Sequence, residues 1–269
     1  MKSAILNPLR FRDASKAPDY GTYWPHMDNI TQRTMYMPGV HPNKQYYKEW
    51  LLGTTIYLQF ERESTESVDL NIFKYDEDLF TYAEINTGSP VTGTDISPVG
   101  WTGNPIYEFV ITISIAGTYY LEFDDNTLIS DKFVIISDTN LSKQLVKIKY
   151  SNTENDFGCI FTGSHYFYQY YTGQLILGEP QNDISGFQSD RGDLIKLQAT
   201  PIRIMNLLLN DIHYTYADNI NMIFSVDTIE INGISFQNSE PPTKEDIGDS
   251  DLKNFVIKLI QTNNDYYSL

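Results

Sequence analysis

The sequence predicts an all-β protein: two consecutive antiparallel β-sandwich-like domains preceded by an extended N-terminal arm. Three observations carry that prediction. From residue 51 onward, short runs alternate apolar and polar residues with period two, the pattern of half-buried strands. Gly, Pro, Asn and Asp clusters interrupt these runs at intervals of roughly 8–12 residues, the spacing of sandwich folds. Residues 1–50 show neither a helical nor a strand period, yet they carry Pro8, Pro18, Pro25, Pro38 and Pro42.

The arm comes first. It is rich in Tyr23, Trp24, Met35, Tyr36, Tyr46, Tyr47 and Trp50, side chains that a flexible linker does not expose to water. These residues are therefore expected to dock on an apolar partner, either the chain's own body or a neighbouring subunit, and they form the candidate arm interface. A fully extended residue spans about 3.3 Å, so such an arm reaches well past one domain diameter.

The first sandwich, immunoglobulin-like, is expected over residues 51–140. TTIYLQF (54–60) places Ile56, Leu58 and Phe60 on one face, and VDLNIFK (68–74) does the same with Val68, Leu70 and Ile72. IYEFVITIS (106–114), GTYYLEFDD (117–125) and KFVIIS (132–137) follow. A long decorated loop, 86–105, separates the early strands from the later ones and contains Trp101. The second β domain is expected over 141–269, with strands in QLVKIKYS (144–151), FGCIFTG (157–163), HYFYQYY (165–171), LIKLQAT (194–200), NMIFSVDTIEINGISFQ (221–237) and NFVIKLIQ (254–261). Asn232-Gly233 between apolar alternations marks a tight hairpin. PIRIMNLLLNDIHY (201–214) suits a strand or a short helix.

Composition narrows the function. Thirty-five acids against 19 bases give a net charge of −16, which opposes tight nucleic-acid binding by the body as a whole. Charge is uneven: residues 1–50 carry a net +3, residues 61–138 a net −12. Aromatic residues make up 14%, too many for a disordered chain. The N-terminus lacks a signal-peptide core and no apolar run is long enough to span a membrane, so synthesis in a cytoplasm is expected.

No constellation of catalytic residues stands out. Glycine-rich phosphate cradles and GxSxG elbows are absent from the sequence. Cys159, the single cysteine, sits in the apolar alternation FGCIF and reads as a buried structural thiol, while His26, His41, His165 and His213 are too scattered for a metal site. Acid pairs such as Asp124-Asp125 fall in turns and read as solvated, and Arg191-Gly192-Asp193 reads as a turn before a strand. No cofactor and no metal are expected, nor an enzymatic activity. The run Tyr166, Phe167, Tyr168, Tyr170, Tyr171 is different, because alternation gives it aromatic residues on both faces and something must cover Tyr166, Tyr168 and Tyr170. A protein interface is the favoured cover and a sugar-stacking platform the alternative.

Two stretches resemble a known family. YYKEWLLGTTIYLQF (46–60) with VDLNIFK, and then LVKIKYSNTENDFGCIF (145–161), EPQNDISGFQSDRGDLIKL (179–197) and VDTIEINGISFQ (226–237), are similar to virion tail proteins of phages and prophages of Bacteroidetes hosts, including the crAss-like group. The resemblance covers about two thirds of the chain and does not extend to the leader up to Pro42. It implies a non-enzymatic structural protein of a tail ring, connector or hub, located in the virion, whose partners are identical subunits and other tail or portal-proximal proteins. With a basic arm and an acidic first domain, head-to-tail contact in a ring would be electrostatically favoured. The alternative function is a carbohydrate- or receptor-binding β-sandwich module using loop 86–105 with Trp101.

Overall fold

The computed structural model describes residues 1–13, 48–63, 69–76, 81–124, 128–137, 144–188, 194–247 and 252–262. The fold is all-β, as the sequence predicts. Among the described residues the one helix is α1 (Tyr214–Ile223).

The first half is a sandwich of two sheets. One sheet contains β1 (Lys2–Ser3), β4 (Thr55–Glu61), β9 (Ile106–Thr112) and β8 (Thr94–Asp95), in that spatial order. The other runs β2 (Phe11–Asp13), β11 (Leu128–Ser130), β10 (Gly117–Phe123), β12 (Phe133–Ile136) and β3 (Lys48–Leu51). Strand β5 (Asp69–Asp76) pairs with β10 and also holds β6 (Thr81–Glu84) and β7 (Val91–Thr92). The pairings are antiparallel except β3 with β12, which is parallel. Alternation does what period two requires: Ile56, Leu58 and Phe60 from β4 meet Leu70, Leu121, Phe123 and Phe133 from the opposite sheet in one buried core. Phe60, Phe109 and Phe123 pack edge to face at the centre, with ring centroids 4.8–5.7 Å apart.

The second half closes on itself. Strands β13 (Leu145–Ser151), β14 (Phe167–Gln188), β15 (Leu194–His213), β16 (Thr228–Ile231), β17 (Ile234–Asn238) and β19 (Leu252–Gln261) follow the order β15-β14-β13-β16-β17-β19, and β19 pairs back onto β15. The result is a barrel rather than the sandwich expected for residues 141–269. Closure removes the two free edges that an open sheet of this length would leave. A further strand, β18 (Thr243–Asp246), lies outside the circuit on β19. Inward residues Val146, Ile148, Tyr150, Leu207, Leu209, Ile231, Phe255 and Ile257 fill the barrel, and α1 packs Tyr216, Ala217, Ile220 and Ile223 into the same core. The Asn232-Gly233 hairpin forms as expected, with φ of 50° and 88° at the two turn residues, the left-handed values a two-residue turn needs.

The ends of the expected arm differ from the prediction. Residues 1–13 are built into the body: β1 pairs with β4, β2 pairs with β11, Leu6 enters the barrel core and Leu9 the sandwich core. At the other end, 48–50 belong to β3. Short stretches paired with strands far away in sequence have no period of their own, which is why the hydrophobic pattern did not reveal them. The middle of the arm, with Tyr23, Trp24, Met35, Tyr36, Tyr46 and Tyr47, lies outside the described residues.

Candidate functional site: seam and ribbon

The aromatic strand is covered by its own chain. On β14, Phe167, Gln169 and Tyr171 enter the barrel, so Tyr168 and Tyr170 stand on its outer wall together with Tyr166, which precedes the strand. The sandwich closes over that wall. Tyr57 of β4 meets Tyr166 and Tyr168 with centroids 5.3 and 6.1 Å apart, and Thr54 Oγ1 lies 3.3 Å from the Tyr170 hydroxyl. Tyr168 and Tyr170 are buried, and Lys147 and Lys149 lie over the rings of Tyr168 and Tyr166 at 4.3 and 4.5 Å. Burial pushes the Tyr168 hydroxyl up to about 12. Tyr166, Tyr168 and Tyr170 were expected to form a protein interface; Tyr57 of β4 and Thr54 just before it lie over them within the same chain, an intramolecular seam. The sequence identified an interface and could not say that both sides lay in one chain.

Trp50, at the end of the expected arm, meets the chain's own body. It is fully buried on β3, with its ring 5.9 Å from Phe133, and so belongs to the sandwich core.

Beside Trp50 is a feature that sequence patterning does not reveal. Lys48 is fully buried, its Nζ donating to Gln169 Oε1 at 2.5 Å and lying over the rings of Tyr171 at 3.3 Å and Tyr216 at 5.1 Å. The Tyr171 hydroxyl also donates to Gln169 Oε1. Gln169 Nε2 donates to the Tyr150 hydroxyl and to Asn219 Oδ1, and these two bond onward to the carbonyls of Leu6 and Ile5. Burial drags the Lys48 ammonium well below its ordinary pKa. This network ties β3, the N-terminal segment, the barrel wall and α1 together.

A second polar cluster fastens the seam farther along. Gln59 Oε1 accepts from the Ile160 N–H at 2.8 Å while its Nε2 donates to the Ile160 carbonyl at 3.0 Å and to Glu108 at 3.3 Å. Glu108 also meets His165 Nδ1 at 3.0 Å. The pair joins the sandwich to the barrel, so His165 here is a seam residue.

Cys159 is buried, and burial pushes its thiol up to about 12, which disfavours the reactive thiolate. Among the described residues no group of three or more His, Cys, Asp or Glu is arranged to hold a metal. The segment Arg191-Gly192-Asp193 lies outside the described residues, between Gln188 and Leu194. Trp101 is 42% exposed, its Nε1 donating to the Asn104 carbonyl at 2.9 Å and its ring lying against Gly103.

The largest departure from expectation is the length of β14 and β15. β13 pairs with β14 only as far as Thr172, and β19 pairs with β15 only from Ile204 onward. Apart from the Gly173 N–H, which donates to the Gln144 carbonyl, β14 and β15 beyond these points pair solely with each other among the described residues, out to Gln188 and Leu194. They form a two-stranded ribbon that, counted on the shorter strand over 194–203, extends the ladder by about 34 Å at roughly 3.4 Å per residue. Gly173 sits at its root, where the strands run so close that a Cβ would come within 2.2 Å of the Leu208 carbonyl oxygen. The sequence hid the ribbon because EPQNDISGFQSDRGD is full of Pro, Gly, Asn and Asp, which normally punctuate turns. Two register shifts, at Leu177/Pro180 and Ser185/Gly186, let the ladder pass through these residues.

These features define an all-β protein with a sandwich sealed to a barrel and a ribbon reaching beyond both. Comparison with protein-family models, with curated proteins and with solved structures finds no match. Among the described residues, no helix is long and apolar enough to cross a membrane.

Proposed function

We propose that this protein is a non-enzymatic structural subunit of a phage tail, part of a ring, connector or hub in the virion, acting through contacts with identical subunits and with other tail or portal-proximal proteins. The observation that supports this reading is the ribbon. Among the described residues no third strand joins this pair, and a two-stranded ribbon is marginal in water, so a ribbon of this length is expected to find its stability in a larger assembly. Sealing the two halves along one seam gives a stiff body from which such an element can project. The net charge of −16 fits a wall past which nucleic acid moves without sticking. Size-exclusion chromatography with light scattering on the full chain tests the reading. A closed species of defined, multiple mass is expected, and a chain that stays monomeric at every concentration would overturn it.

Trp101 supports a second reading, a carbohydrate- or receptor-binding module. Its ring is held in place at the surface by the Asn104 carbonyl, as a sugar-stacking residue would be. Glycan-array binding that disappears in Trp101→Ala would favour it; no binding by the native chain would dismiss it.

A further inference from the structure

We infer that the outer edges of the ribbon are the contact between copies, and that copies join by β-pairing, β15 of one beside β14 of the next, into a closed antiparallel barrel with two strands per copy. This rests on the reading of the protein as an assembly subunit and specifies where the subunits meet.

The argument begins with unpaired backbone. Past Gly173 on β14, whose N–H still donates to the Gln144 carbonyl, and on the stretch of β15 that precedes Ile204, the outward-facing N–H and C=O groups have no ladder partner among the described residues. Each is a template for another strand. A single foreign strand would satisfy one edge and leave the other open. A second copy satisfies both, because each copy offers one edge of each kind. Strand sense agrees as well. Rotation about an axis along the ribbon leaves strand directions unchanged, so β15 of one copy necessarily runs antiparallel to β14 of its neighbour. Such a head-to-tail contact repeats until the ring closes, and closure leaves no edge.

The prolines set the limits of the contact. Pro180 and Pro201 have no N–H to donate, and both lie near the base of the free ribbon, where Pro180 faces Arg203 and Pro201 faces Asn182. The inter-copy ladder is therefore confined to 181–188 and 194–200. These same prolines keep the base from pairing out of register with a wrong partner.

Hydrogen exchange read by mass spectrometry, on the monomeric and assembled fractions of the full chain, tests the inference. Outward amides of 181–188 and 194–200 exchange freely in the monomer and are expected to slow at least ~10-fold on assembly. Assembly without slowing there would place the contact elsewhere and overturn this inference while leaving the assembly reading intact. Protection already complete in the monomer would mean that the chain covers its own ribbon, and would also overturn it. A chain that never assembles defeats both readings. A trimmed variant supplies an independent check: replacing 178–204 with Asn-Gly closes Leu177 onto Met205 and keeps every β14 residue that pairs with β13 and all but Ile204 of those on β15 that pair with β19. That variant should melt as the native monomer does and fail to assemble; assembly at the native level would overturn the inference.

Discussion

Replacing Lys48 with methionine should stabilise the protein, although lysine makes a good hydrogen bond there. The Lys48 ammonium is fully buried, and its polar partner is Gln169 Oε1, with tyrosine and tryptophan faces around it. Removing one buried charge from water costs several kcal/mol even after relaxation, and one charge-assisted hydrogen bond returns about 1.5–3 kcal/mol. In Lys48→Met the bond is lost, but Gln169 Oε1 still accepts from Tyr171, so no acceptor is orphaned. The net change expected is a gain of about 1–4 kcal/mol near neutral pH. It should also depend on pH. The folded pKa lies below the unfolded value of 10.5, so between the two the unfolded chain holds the extra proton and native stability rises as pH increases. Lys48→Met loses that contribution, and its advantage over the native chain shrinks toward pH 10. Urea titrations of both proteins at pH 7, 8, 9 and 9.8 measure this, the difference between them at each pH cancelling the tyrosine ionisation that both share. A Lys48→Met protein that is less stable than native, with an unchanged pH slope, would refute the reasoning and imply that the lysine is charged and fully compensated.

Other substitutions read the seam and the ribbon. Gln59→Leu strips both backbone groups of Ile160 of their partners and should cost about 2–4 kcal/mol in a denaturant titration. Gly173→Ala forces apart two backbones that already touch, and should lower stability by about 2–3 kcal/mol; an unchanged melting temperature would show that the ribbon root is looser than described. Cys159, with its thiol pushed up to about 12 by burial, should resist alkylation at pH 8 in the native protein and react fully in urea, as counted by intact mass.

Legibility in the sequence followed local pattern. Ile56, Leu58 and Phe60 could be assigned to one face because strand alternation is a property of consecutive residues, and the Asn232-Gly233 turn because its backbone conformation selects its residues. Helix α1 also carries a local signal: Tyr216, Ala217, Ile220 and Ile223 lie on one helical face, although the expected strand run 221–237 takes in its last three residues. What the sequence could not show was long-range closure. Nothing in the residues of β19 says that it pairs with β15 and turns a sheet into a barrel. The same limit explains the tyrosines. Exposed aromatic surface on Tyr166, Tyr168 and Tyr170 demanded a cover, and whether that cover came from Tyr57 of the same chain or from another copy depends on tertiary packing alone. Lys48 was the least visible of all, since a lysine inside a barrel mouth looks like any surface lysine until Gln169, Tyr171 and Tyr216 are brought around it.

Electron cryomicroscopy of the assembled full-length chain bears most directly on the view that the ribbon is built for a partner copy. The expected map shows β14 and β15 of every copy side by side with those of its neighbours, two strands per copy, around a closed central bore. A ring held together by other surfaces, with its ribbons standing free of one another, would contradict it.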